Sequence, residues 1–142
     1  MATQIIQCPS CGAKNRVPNV SSGHPRCAKC HTDLPWLVNA TDADFDAVVG
    51  AKPLVLVDLW APWCGPCRMV APVLEQLSAE LAGRLKVVKV NVDTSPQVSR
   101  RFEASSIPML LLMDGGKVVD KIVGAQPKPV LQQRIDAALS LR

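Results

Sequence analysis

Six cysteines arranged as three C-x-x-C pairs constrain this chain more than any other feature of its sequence. The pairs are Cys8/Cys11, Cys27/Cys30 and Cys64/Cys67. The first two pairs lie in a polar stretch without helical or strand periodicity, whereas the third lies in apolar, periodic sequence. This change of character, near residues 31–36, predicts a boundary between a small module over residues 1–34 and a main domain over residues 35–142.

The main domain alternates the signals of strands and helices. Apolar runs predict strands over residues 34–38, 54–57, 87–92, 109–113 and 118–123. A turn signal joins the last two strands as a hairpin. Capping residues and helical periodicity predict helices over residues 41–49, 64–81, 95–102 and from about 129 onward. The order β-α-β-α-β-α-β-β-α predicts an α/β fold with a mixed central sheet and helices on both faces.

The spacing C-x2-C-x15-C-x2-C in the module is a strong signal for zinc. One structural Zn²⁺ would be held in a tetrahedral site of four thiolates, as in a zinc ribbon. Its ligands would be Cys8, Cys11, Cys27 and Cys30. About 30 residues bury too little apolar surface to fold alone, so the metal would supply folding energy. Two disulfides or free thiols are the alternative. His24 and His31 are interpreted as bystanders, because four cysteines already complete such a site.

The charge distribution gives little support to a nucleic-acid partner. The net charge is +4, and the excess of basic residues lies within residues 1–32. Four thiolates on one Zn²⁺ would reduce the charge of that segment to about +2. The chain has no Tyr, three Trp and two Phe, which leaves little surface for stacking on bases. No apolar run reaches the roughly 18 residues that span a bilayer, and the first residues lack a signal-peptide pattern. We therefore expect a cytoplasmic protein that binds neither nucleic acid nor membrane.

The segment Trp63-Cys64-Gly65-Pro66-Cys67 lies between a buried strand and the start of a helix. Cys64 would lie at the helix N-terminus, where unpaired amides stabilise a thiolate and make it nucleophilic. Two intervening residues allow a disulfide across one turn, so Cys67 can resolve a mixed disulfide formed on Cys64. Pro66 fits the first helical turn, where its missing N–H costs no hydrogen bond. A static disulfide or part of a metal site is the alternative.

Residues 35–142 resemble thioredoxin over their whole length. The matching segments are VDLWAPWCGPCRMVAP (57–72), KVNVD (89–93), SIPMLLLMDGG (106–116) and VGA (123–125). Together with the N-terminal cysteine pairs, the chain is similar to the bacterial thioredoxin 2 type, a thioredoxin that carries a zinc module. The resemblance implies the thioredoxin fold and thiol–disulfide oxidoreductase activity.

The resemblance also implies catalytic roles beside the motif. Asp58 matches the buried acid of the family, which exchanges a proton with Cys67, and Lys89 matches the lysine near that acid. Independently, a carboxyl group that interrupts an apolar strand is costly to bury in its charged form, so the pKa of Asp58 should be raised. Exposed positions on the strands are the alternatives for both residues.

A substrate groove follows from the same resemblance. Its residues would be Trp63, Gly65, Pro66, Ile107, Pro108, Gly124 and Ala125. Pro108 matches the cis-proline that faces the active-site cysteines, and its loop would offer backbone groups to an extended substrate. Trp60 would pack beneath. Pro62 and Met109 depart from the residues usual in the family and make the groove less charged and more apolar.

A protein-disulfide reductase is the function that these residues favour. The resemblance implies re-reduction by thioredoxin reductase, with NADPH bound there and no organic cofactor bound here. Disulfide-containing proteins would be the substrates, in cell redox homeostasis and oxidative stress, and we expect a monomer. A thiol oxidase or isomerase of the same fold is one alternative. In another, the zinc module recruits a partner or senses oxidation.

Overall fold

The computed structural model describes residues 3–142, and its elements follow the predicted order after an additional strand pair at the start. The strands are β1 (Thr3–Gln7), β2 (Lys14–Pro18), β3 (Trp36–Ala40), β4 (Leu54–Trp60), β5 (Leu85–Asn91), β6 (Met109–Asp114) and β7 (Lys117–Val123). The helices are α1 (Phe45–Val49), α2 (Gly65–Glu80), α3 (Pro96–Arg101) and α4 (Lys128–Ser140). Among the described residues, no helix combines the length and apolarity needed to cross a bilayer.

Five strands form one mixed sheet in the order β3-β5-β4-β6-β7. The first three run parallel, whereas β6 pairs antiparallel with both β4 and β7. The central strands β4 and β5 are buried along most of their length on both faces, as expected for strands that helices cover on both sides. The predicted α/β architecture is therefore confirmed.

Two apolar cores lie on opposite faces of this sheet. On one face, Val55 and Val57 of β4 share a core with residues of α1 and α3. On the other face, Leu54 and Leu56 pack against α2 and α4. Because successive side chains of a strand point to opposite faces, β4 contributes to both cores. The first core continues into the N-terminal region through Cys8, Val17 and Cys27.

The strand pair β1–β2 is the element that the sequence did not predict. The two strands pair antiparallel, from Thr3 opposite Pro18 to Gln7 opposite Lys14. Asn15 points inward with Val17, and this buried polar residue breaks the apolar alternation by which a strand is recognised. The stretch therefore contains two strands, although its sequence shows no clear strand periodicity.

Several element boundaries also differ from the predictions. The strand β4 continues three residues further than expected, to Trp60, and β5 begins two residues earlier, at Leu85. The first strand of the main domain begins at Trp36, two residues later than expected. The helix predicted from Thr41 begins at Phe45, and the preceding residues form a turn. The carboxylate of Asp44 accepts the Thr41 backbone N–H at 2.8 Å, so Asp44 closes this turn and Thr41 is not the helix cap.

Candidate functional site

The paired cysteines at residues 64 and 67 lie where β4 ends and α2 begins. Cys64 is the N-cap of α2, and its Sγ accepts the Cys67 backbone N–H at 3.2 Å. The two side chains form a disulfide, with 5.3 Å between their Cα atoms. Cys64 and Cys67 are only 4% and 3% exposed. When the bond is reduced, the N–H groups of the first helical turn can stabilise a thiolate on Cys64.

A buried carboxyl group lies on the strand that leads to the dithiol. Asp58 is 1% exposed, and neither of its carboxylate oxygens has a hydrogen-bond partner among the described residues. Burial raises the pKa of Asp58 from 3.8 to about 7, while the positive charge of Lys89 acts in the opposite direction. The predicted elevation is therefore confirmed. Such a group can hold or release a proton near neutral pH.

Lys89 lies directly opposite Asp58 in the parallel pairing of β4 with β5. Its ammonium does not form an ion pair with Asp58 but lies 4.9 Å from the centre of the Trp60 ring. The structure thus brings the predicted acid and lysine to neighbouring strand positions. Trp60 is half-buried and packs against the small apolar cluster that contains both cysteines.

The loop before β6 lies over the dithiol. The Ile107–Pro108 peptide bond is cis, as the resemblance implied. The Ile107 side chain packs against the two cysteines, and its carbonyl oxygen lies 3.8 Å from the Cys64 sulfur. The Gly124 N–H donates to the Pro108 carbonyl at 2.8 Å. Gly124 has φ +92°, a conformation that L side chains rarely adopt.

Exposed groups surround this loop. Gly65 and Pro66 at the start of α2 are exposed, as is Ala125. Trp63 is 66% exposed, and its indole N–H donates to the Asp93 carboxylate at 3.1 Å. Sequence reasoning missed Asp93, because an acid 30 residues away from the motif carries no local signal. Trp63, Gly65 and Pro66 thus form an exposed edge next to the buried Cys64.

A second cluster of sulfur atoms lies in the N-terminal region. The sulfurs of Cys8, Cys11, Cys27 and Cys30 all lie within 4.8 Å of one another, and the four cysteines are free thiols. Cys8 and Cys30 are 3.6 Å apart, as are Cys11 and Cys27. A tetrahedral Zn²⁺ with bonds of about 2.3 Å to sulfur requires separations of about 3.8 Å between its ligands. The four sulfurs are therefore close enough together to hold a metal ion.

The two cysteine pairs adopt the same turn. The Gly12 N–H donates to the Cys8 carbonyl, and the His31 N–H donates to the Cys27 carbonyl, each at 2.9 Å. Both donors have a positive φ, +76° for Gly12 and +66° for His31. Gly12 thus completes the turn of the first pair, and His31 is its counterpart in the second pair. A histidine can adopt this conformation at a modest cost.

Polar groups around the sulfurs complete the cluster. The Asn15 side chain donates to the Cys27 sulfur at 3.5 Å and accepts the Ala28 N–H at 2.9 Å. The backbone N–H of Cys30, assisted by Asn15, lowers the pKa of Cys27 to about 6, although burial acts in the opposite direction. The Thr32 hydroxyl lies 3.2 Å from the Cys30 sulfur. Sequence reasoning missed Asn15, because a polar residue in a stretch without apolar alternation gives no sign that it is buried.

The two histidines of this region lie outside the cluster of sulfurs. The His24 Nε2 is 3.0 Å from a carboxylate oxygen of Asp33, and the Arg26 Nε is 3.4 Å from the same oxygen. His31 occupies the turn position described above. Neither histidine therefore belongs to the group of four clustered cysteines.

Comparison with known proteins agrees with this geometry. The family model described as thioredoxin matches residues 36–137. A protein named thioredoxin 1 from Nostoc sp. is 49% identical over 100 residues, which cover 70% of this chain and 94% of that protein. Proteins named thioredoxin from Staphylococcus aureus are 47% identical over 103 residues, or 72% of this chain and 98% of theirs. The cysteine cluster at the N-terminus lies outside the residues that the family model matches.

Proposed function

The chain belongs to the thioredoxin family and is a protein-disulfide reductase, and we propose that Cys64 and Cys67 carry out its two exchange steps. The observation that carries the proposal is the position of Cys64 at the start of α2, with Cys67 one turn further on and the unpaired carboxyl of Asp58 on the preceding strand. A nucleophile, a resolving thiol and a proton-exchanging group are thereby available together.

In the first step, the Cys64 thiolate attacks one sulfur of a substrate disulfide. The substrate S–S bond breaks, a mixed disulfide forms, and the other substrate sulfur leaves as a thiolate that takes up a proton. In the second step, deprotonated Cys67 attacks the Cys64 sulfur and releases the second substrate thiol. The substrate has gained two electrons and two protons, and the enzyme now holds the Cys64–Cys67 disulfide.

Asp58 is proposed to accept the proton that Cys67 must lose before the second step. A pKa of about 7 leaves the carboxyl group partly deprotonated at neutral pH, so it can take up a proton and later return it. Lys89 is proposed as a positioning residue, because its charge favours the carboxylate form of Asp58. Both assignments are supported by the burial of Asp58 and its pairing register with Lys89.

The substrate is proposed to bind as an extended segment across the exposed edge of the dithiol. Trp63, Gly65 and Pro66 would form one side of this groove. Ile107, Pro108, Gly124 and Ala125 would form the other. The exposure of Trp63 and Ala125 supports contact with another chain. Oxidised enzyme is proposed to be re-reduced by thioredoxin reductase, which binds the NADPH that supplies the electrons.

Residues 1–34 are proposed to form a module that holds one structural Zn²⁺ through its four cysteines. The match between the sulfur separations and a tetrahedral ion supports this assignment. Zinc would cross-link the two turns, while Asn15 and backbone N–H groups compensate the charge of the thiolates. We also propose a cytoplasmic location, because thiolates that bind a metal require a compartment that keeps cysteines reduced. A structural role is preferred over recruitment of a partner, because Cys8 and Cys27 pack into the core of the main domain.

The proposed mechanism is tested by following insulin reduction in the presence of NADPH and a thioredoxin reductase. Cys64→Ser should abolish turnover, and Asp58→Asn should slow it. Asp136→Asn, which changes an exposed carboxylate on α4, is the matched control and should have no effect. Undiminished turnover by Cys64→Ser would exclude the mechanism.

A redox titration against glutathione separates the reductase from a thiol oxidase. A reductase should have a reduction potential of about −270 mV, the value typical of thioredoxins, whereas an oxidase would have one of about −120 mV.

Zinc content, measured by mass spectrometry of the native protein, should be one ion for each chain. A metal-free protein with intact secondary structure would argue against the zinc module.

A further inference from the structure

Lys86 is a fully buried lysine at the start of β5. It is 0% exposed, although lysine is among the residues least often buried in proteins. Its neighbours along the strand on the same face, Val88 and Val90, belong to the core that includes α1, α3 and the N-terminal region. The catalytic steps proposed above do not use this residue.

The Lys86 ammonium contacts two carbonyl oxygens and one aromatic ring. It donates hydrogen bonds to the carbonyl oxygens of Asn19 and Val48, each at 2.6 Å. It also lies 4.0 Å from the centre of the Trp36 ring, within the range of a cation–π contact. Two carbonyl oxygens and an aromatic ring therefore compensate the buried charge, which is the condition for burying a charged group.

These contacts join two parts of the chain that are distant in sequence. Val48 lies in the last turn of α1, where the final carbonyl groups have no intrahelical N–H partner and attract a cation. Asn19 follows β2, directly after the strand pair whose connection contains the first cysteine turn. One ammonium group thus bridges the main domain and the N-terminal region.

Two further hydrogen bonds cross the same junction. The Trp36 indole N–H donates to the Pro18 carbonyl at 3.1 Å. The side-chain amide of Asn19 donates to the Asn39 carbonyl at 2.9 Å, on the outer edge of the sheet formed by β3. The segment Pro18–Asn19 is therefore held on three sides: by Lys86, by Trp36 and by Asn39.

We infer that Lys86 fixes the metal-binding region to the redox domain, so that opening of residues 14–20 requires these bonds to break. Without the bonds from Lys86, Asn19 would lose its strongest contact with the sheet, and the carbonyls of Asn19 and Val48 would be buried without a donor. Lys86 is a positioning residue in this role: it touches neither the dithiol nor the sulfur cluster. The inference does not depend on the proposed exchange mechanism.

Burial lowers the pKa of Lys86 to about 8, and the carboxylate of Asp44 acts in the opposite direction. The ammonium form therefore predominates at neutral pH. Loss of one partner of a buried cation is costly, since it leaves part of the charge uncompensated. This cost opposes any opening that carries Asn19 away from Lys86.

Lys86→Met in the full-length, zinc-loaded chain tests the inference. Methionine preserves much of the length and apolar volume of the side chain but removes both hydrogen bonds and the charge. The matched control is Lys121→Met, which replaces an exposed lysine on β7 of the same sheet. Three measurements follow: hydrogen exchange of individual amides by NMR, the rate of zinc transfer to a chromophoric chelator, and insulin reduction.

For Lys86→Met we expect the amides of residues 14–20 to exchange at least about tenfold faster, because one hydrogen bond to a charged group is worth about that factor. Exchange in β4 should change much less, zinc transfer should accelerate, and insulin reduction should stay within about twofold. Lys121→Met should change none of these. Trp36→Phe, which keeps an aromatic ring and removes the bond to Pro18, should give a smaller acceleration at the same amides.

Two results would overturn the inference. Hydrogen exchange at residues 14–20 that is unchanged in Lys86→Met would show that Lys86 does not hold the region in place, whatever the result for Trp36→Phe. An acceleration of the same size in β4 and in residues 14–20 would show that Lys86 contributes only to global stability. Failure of the proposed thiol–disulfide mechanism would be seen separately, as continued insulin reduction by Cys64→Ser. The pattern of amide hydrogen exchange in Lys86→Met would then still be as expected.

Discussion

Replacement of Asp58 by asparagine should stabilise this protein at neutral and alkaline pH. An unfolded chain loses the proton of this carboxyl group near pH 3.8, whereas the folded protein keeps it up to about pH 7. Between these values the folded state binds more protons than the unfolded state, so the free energy of unfolding decreases as the pH rises. The full stabilising effect of the raised pKa is present below pH 3.8 and is lost as the pH rises through about 7.

The size of the effect follows from the burial of Asp58. A rise in pKa from 3.8 to about 7 corresponds to roughly 4 kcal/mol, at about 1.36 kcal/mol per unit. Because the carboxyl group is almost completely inaccessible and unpaired, solvent screening does not reduce this value substantially. An isosteric amide at this position avoids the cost of burying a charge. We therefore expect Asp58→Asn to be more stable than the wild type by about 3–4 kcal/mol at pH 8.

The assay is urea unfolding of the oxidised, zinc-loaded protein between about pH 5 and pH 8.5, a range that spans the raised pKa. The oxidised form is chosen because the thiols of Cys64 and Cys67 then do not titrate. Any change in metal affinity with pH affects both proteins and cancels in the difference between variant and wild type. Asp136→Asn serves as the control for the loss of an exposed carboxylate. A difference between Asp58→Asn and wild type that stays constant across this range would refute the reasoning.

Three further predictions concern the dithiol, the cysteine cluster and the groove. Cys67→Ser should retain the first exchange step and accumulate a mixed disulfide with its substrate, visible as an added mass that dithiothreitol removes; rapid release would contradict the role of Cys67. Asn15→Leu should leave the Ala28 N–H unpaired, lower stability by about 1–3 kcal/mol in urea unfolding, and speed zinc loss to a chelator. Unchanged zinc retention would argue against a role for this amide at the metal. Gly124→Ala places a Cβ at φ +92° and should cost about 1–3 kcal/mol by the same assay, whereas Ala125→Gly, as control, should cost less.

Local sequence was sufficient to predict most of the main domain. The strands β4 to β7 and the helices α2 and α4 are long enough for apolar periodicity to identify them. The starts of α1, β3 and β5 and the end of β4 were less accurate. Asp44 closes a turn ahead of α1, while Asp58 and Lys86 interrupt the apolar runs of β4 and β5. The cysteine turns could be predicted because each one depends on contacts between residues close together in sequence.

In the candidate site, too, some residues could be identified from the sequence and others could not. Motif spacing identified Cys64, Cys67 and the four cysteines of the cluster, and an acid within an apolar strand indicated that Asp58 is buried. Nothing in the spacing indicated that Trp63 binds Asp93, because the two residues meet only when β5 pairs with β4 and brings its C-terminal end beside the motif.

The burial of Lys86 is a feature of this protein that the sequence did not predict. In the sequence it interrupts an apolar run and is indistinguishable from a solvated lysine of an edge strand. In the folded chain its ammonium meets carbonyl groups 67 and 38 residues away. Secondary structure and the cysteine turns depend on interactions between residues that are close in sequence, so the sequence determines them directly. The burial of Lys86 and the attachment of the N-terminal region depend on contacts between distant segments, which exist only once the chain has packed.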